Sequence, residues 1–65
     1  MKLYVWEDVL TDYTSGMMFA LADSADDARV QLIEQCDYLP TGDLAKEPRV
    51  FDTTDRVAFI VWGGG

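Results

Sequence analysis

Thr11, Asp12, Tyr13, Thr14, Ser15 and Gly16 form one short run, TDYTSG, that supplies three aliphatic hydroxyls, a phenol, a carboxylate and a glycine. In a tight turn, such hydroxyls and the backbone N–H groups beside them can hold a phosphate or a sugar. A plain hairpin loop would use the same side chains to bond its own backbone. Gly63, Gly64 and Gly65 follow an apolar run at the other end of the chain. Their N–H groups can nest an anion or let a partner approach closely, although a frayed tail would have the same composition. Arg49 and Arg56 are the candidate countercharges if the ligand carries a phosphate.

Catalytic chemistry finds little to work with. The chain has no histidine, the usual general base near neutral pH, so Thr14 and Ser15 have nothing to activate them. Glu7 and Asp8 alternate across an expected strand and diverge. Asp26 and Asp27 are explained by helix capping, and Asp52 and Asp55 by a turn. A glycosidase-type carboxylate pair also needs a cleft that so short a chain hardly encloses. No calcium loop or Gly-Lys-Ser/Thr phosphate motif is present. Cys36 stands alone, so neither an internal disulfide nor a Cys/His zinc site can form. On an apolar helix face it reads as a small hydrophobe. The expectation is a protein that acts by binding, is not an enzyme, and uses neither cofactor nor metal.

Composition bounds the partner. Twelve acidic residues against five basic ones give a net charge of −7. That repels duplex nucleic acid, whose recognition rests on neutralising phosphates, and favours a basic partner surface. Glu7, Asp8, Asp12, Asp52 and Asp55 would form the acidic face towards such a protein. The same acidity also keeps a small apolar domain in solution. No run reaches the ~20 apolar residues of a membrane span, and Met1-Lys2-Leu3 leads into a strand pattern rather than a secretory leader. A cytoplasmic location is the resulting expectation.

Positioning these residues falls to a single domain over residues 1–65. Residues 2–10 (KLYVWEDVL) alternate and are rich in β-branched and aromatic types, as a strand requires. Leu3, Val5 and Val9 share one face, and Tyr4, Trp6 and Leu10 the other. The polar run 11–16 is expected to be the hairpin connection, and residues 17–22 (MMFALA) the returning strand, with Met17 and Met18 in the core. Ser24 with Asp27 three residues on makes a capping signal. Ala25, Ala28, Leu32, Ile33 and Cys36 give a helical apolar stripe ending near Asp37. Residues 38–48 read as a surface loop, 49–51 as a short strand and 52–55 as a turn. Residues 56–62 (RVAFIVW) read as a last strand that is apolar on both sides. One helix covers one face of a small sheet, so a second cover is needed over Tyr4, Trp6, Ile60 and Trp62. A homodimer or a bound partner would supply it; the loop carrying Tyr38, Leu39 and Leu44 is the internal alternative.

The opening KLYVWEDVLTDYTSGMMFALADSADDA and the closing VAFIVWGGG together resemble a group of short, uncharacterised bacteriophage and prophage proteins. In that group, a strand leads into a Leu-Thr-Asp-Tyr-Thr-Ser/Cys-Gly loop and the chain closes on aromatic-Gly-Gly-Gly, with a variable middle. The resemblance implies that residues 11–16 and 63–65 belong to one functional surface. Small acidic phage proteins are often inhibitors of host defence: some mimic an acidic ligand of a nucleic-acid-handling complex, others sequester a nucleotide signal. The chain is also similar in length, element order and glycine tail to ubiquitin-like sulfur carriers, which would make Gly65 the residue activated by adenylation. The tail here has three glycines, and Trp62 abuts them where a carrier has a flexible arm.

The sequence therefore predicts an α+β domain: an antiparallel sheet of three to four strands, made of a hairpin and one or two C-terminal strands, with one helix on one face. It is expected to dimerise and to bind a host defence protein or its nucleotide signal through Asp12, Tyr13, Thr14, Ser15, Gly16, Arg49, Arg56 and the terminal glycines.

Overall fold

The computed structural model describes residues 1–62. Strand β1 (Lys2–Asp12) and strand β2 (Thr14–Ala22) form a hairpin. Helix α1 (Ala25–Gln35) and the short helix α2 (Thr41–Leu44) follow, then strand β3 (Arg49–Asp52). The sheet is antiparallel throughout, in the order β2-β1-β3. Its central strand is the longest and most buried, as expected of the strand with two neighbours.

Register decides the two faces. Tyr4 pairs with Ala20 and Val50, and Trp6 with Met18, on the side that meets the helices. Leu3 pairs with Leu21 and Phe51, and Val5 with Phe19 and Arg49, on the opposite side. Between Glu7 and Asp12 the pairing with β2 slips twice, and Asp8 and Leu10 take positive φ of 54°. Each slip inserts an extra residue into β1, a β-bulge. The first moves Val9 onto the helix side, where it is buried beside Trp6. Simple alternation places Val9 with Leu3 and Val5, and the bulge overturns that assignment.

The bulged backbone is tied to α2. Leu10 N–H donates to Asp43 Oδ2 at 3.0 Å, and Lys46 Nζ donates to the Asp8 carbonyl at 3.2 Å. Gly16 lies opposite: a Cβ there would stand 3.3 Å from the Val9 carbonyl oxygen. Glycine lets β2 close on the bulge. The reversal is tighter than the polar run suggests. Asp12 pairs with Thr14, leaving Tyr13 alone at the tip with φ of 67°.

Helix α1 begins where the capping signal places it, with Asp27 N–H donating to Ser24 Oγ at 3.1 Å. Ala28 is buried, and Ala25 and Leu32 pack on the core, whereas Ile33 is exposed and Cys36 is half-buried at the C-cap. Arg29 joins the helix to the following segment. Its Nε donates to the Leu44 carbonyl at 2.7 Å and one terminal nitrogen to the Lys46 carbonyl, while the guanidinium lies over the Trp6 ring. Trp6 Nε1 donates to the same Lys46 carbonyl at 2.8 Å. The expected loop thus contains a turn of helix, and Leu39 and Leu44 pack beneath it with Tyr4, Trp6 and Val9.

Two expectations are corrected here. Trp6 is 1% exposed and Tyr4 is buried. Both lie under the helices, because α1 and the α2 segment share that face, and neither is available to a partner. Residues 56–62 form no strand, and among the described residues no backbone hydrogen bond joins them to the sheet. After β3 the chain turns, with Asp55 N–H donating to the Asp52 carbonyl and Asp52 N–H to Asp55 Oδ2. It then runs along the sheet's second face. Phe59 meets Phe51 edge to face at 5.4 Å between centroids, and Val57 and Phe59 border one cleft with Leu3, Val5 and Phe19. Val5, on the face away from the helices, is only 1% exposed. The uncovered apolar face draws the segment out of the sheet: covering Val5 and Phe51 buries area that pairing at an edge would leave in water.

Candidate binding surface

The second face combines a partial apolar lid with open ground around it. Phe59 is half-buried there and Val57 is 41% exposed, while Ile60 is 80% and Trp62 86% exposed. Phe19 and Leu21 of β2 are also largely exposed. Large apolar side chains left exposed on one face mark a candidate contact surface.

Two neighbouring clefts flank the closing segment. One, of about 340 Å³, is lined by Glu7, Asp8, Ser15, Gly16 and Met17 on the hairpin side and by Ile60, Val61 and Trp62 on the other. The second, of about 410 Å³, is lined by Arg49, Phe51, Arg56 and Phe59 among others, and shares Glu7 and Ile60 with the first. Together they make one interrupted groove. Its chemistry is graded. Asp8 and Ser15 line the first cleft, Arg49 and Arg56 the second, and Glu7 borders both. Arg49 already donates to Glu7 Oε2 at 2.9 Å and stacks over Phe51 and Phe59. Arg56 forms no ion pair among the described residues.

The structure gathers Ser15, Gly16, Arg49, Arg56, Ile60 and Trp62 around this groove. Asp12, Tyr13 and Thr14 lie towards the hairpin tip and line neither cleft, Tyr13 being 94% exposed. Gly63, Gly64 and Gly65 lie outside the described residues. Glu7, Asp8 and Met17 are groove residues that the ligand reading did not include. Glu7 and Asp8 were expected on an acidic face towards a protein but diverging across the strand; the bulge, which no periodicity announces, brings both to one cleft, and Phe59 was missed by the assignment of its segment to a strand. Among the described residues, no group of three metal-ligating side chains is close enough to hold an ion, and no helix is long and apolar enough to cross a membrane.

Compared with protein-family models, with characterised proteins and with solved structures, the chain matches none.

Proposed function

We propose that this chain is a non-enzymatic binding protein of phage type that inhibits a host antiviral defence by occupying a defence protein. The observation that carries the reading is the meeting of the chain's two ends: Ser15 and Gly16 of the TDYTSG run border the same cleft as Ile60, Val61 and Trp62. These are the ends on which the phage-protein resemblance rests.

A macromolecular target fits better than a small one. Tyr13 at the hairpin tip and Trp62 at the groove are both almost wholly exposed, and Tyr13 lies outside both clefts, so a partner that uses both must extend beyond the groove. Exposed aromatic side chains are the usual anchors of protein interfaces. The net charge of −7 and the carboxylates of Glu7 and Asp8 favour a basic surface on that partner. One observation favours a second reading, capture of a nucleotide signal: Arg49 and Arg56 share a cleft with Phe51 and Phe59, a set that can hold a phosphate and stack a base.

The test is phage plating on bacterial strains that each carry one defence system, with and without the chain expressed. Plating is expected to recover at least ~100-fold on one strain, and Trp62→Ala is expected to abolish the recovery by removing about 2 kcal/mol or more of interface energy. No recovery on any strain contradicts the proposal. On a responsive strain, salt-sensitive capture of a defence protein supports the protein reading. A thermal shift with a cyclic or ADP-ribose-type nucleotide supports the second.

A further inference from the structure

Among the described residues, no strand pairs with the outer edge of β2. In the order β2-β1-β3, β2 is an edge strand nine residues long. Its sequence, TSGMMFALA, holds no charged residue and no proline. Monomeric proteins protect long edges with lysine, proline, bulges or a covering element, because an unprotected edge is a template for another strand. Here both bulges are on β1. The only side-chain hydrogen bond to a β2 carbonyl among the described residues, from Gln31 Nε2 to Leu21, is at the strand's far end. Among the described residues, no group outside β1 hydrogen-bonds to the middle of the strand, around Met17–Phe19.

We infer that β2 pairs antiparallel with β2 of a second copy of this chain, joining two three-stranded sheets into one of six strands. Two observations select a second copy as the occupant. Phe19, 60% exposed, points to the second face; a twofold axis at Met18, the midpoint of β2, sets Phe19 opposite Met17 of the second copy and diagonal to its own counterpart, as an isologous interface requires. The edge is also uncharged in a chain of net charge −7, so two acidic copies can approach there without opposing like charges at the contact. The inference does not depend on the target of the groove, and it stands or falls separately from the inhibitor reading.

Sedimentation equilibrium on the full chain decides it. The wild type is expected at twice the chain mass near ~100 µM, with association tightening as salt rises and screens the repulsion between acidic copies. Phe19→Lys, which places a charge at the twofold contact, is expected to weaken the dimer at least ~10-fold, or about 1.4 kcal/mol, and to leave the far-ultraviolet circular dichroism unchanged. Phe19→Thr, which keeps a strand-forming residue, is expected to weaken it in the same direction and covers the case in which the lysine variant fails to fold. A monomeric wild type overturns the inference. So does a dimer that folded Phe19 variants leave intact.

Discussion

Leu10 holds a positive φ of 54° without being glycine, a conformation that costs an L-residue of this size roughly 1–2 kcal/mol. The bond from its N–H to Asp43 Oδ2, with Lys46 holding the Asp8 carbonyl beside it, keeps the doubly bulged end of β1 in place. Replacing Asp43 by alanine removes the acceptor from a part-buried donor and is expected to cost about 1–2 kcal/mol. In a chain of this size that lowers the melting temperature by roughly 5–15 °C. A thermal melt of Asp43→Ala checks this, and an unchanged midpoint would show that the bulge stands without its acceptor. The bulge also gives Asp8 its place in the groove and Val9 its place in the core. None of this was legible beforehand, since local alternation assigns each β1 residue a face and only the pairing with β2 reveals the slips.

At the scale of elements, the sequence was most informative where a signal is local. Ser24 with Asp27 marks the start of α1 because the capping bond spans three residues of the same chain. The hairpin and the short strand near Arg49 follow from alternation and turn residues. It was least informative where tertiary competition decides. The RVAFIVW run has strong strand character, yet it lies outside the sheet because the face around Val5 and Phe51 has no other internal cover. The segment before β3 is held by Arg29 and Trp6, neither marked by any motif. Both reach the Lys46 carbonyl, and Arg29 also reaches that of Leu44. Arg29→Lys retains the charge but loses the planar fork and the stack on Trp6. It is expected to cost about 1–2 kcal/mol, with faster amide hydrogen exchange concentrated in residues 39–48. Chemical denaturation and exchange on the same sample measure both. Uniformly faster exchange would mean that Arg29 supports the whole core rather than this junction.

For the whole molecule, size and charge pull against one another. A chain of 65 residues buries only about 60% of its unfolded surface, and one with a charge of −7 adds self-repulsion to that small margin. The helices and the α2 segment close one face. The other is closed only in part, by residues 56–62, which carry Ile60 and Trp62 to the groove beside Ser15. The functional reading rests on that course of the chain. It is tested most directly by nuclear Overhauser contacts from the Phe59 ring in uniformly labelled protein. Contacts to the Phe51 ring and the Val5 methyl groups are expected. A Phe59 ring without contacts to β1 or β3, in a segment with coil-like shifts, would contradict the account and separate the two ends of the chain.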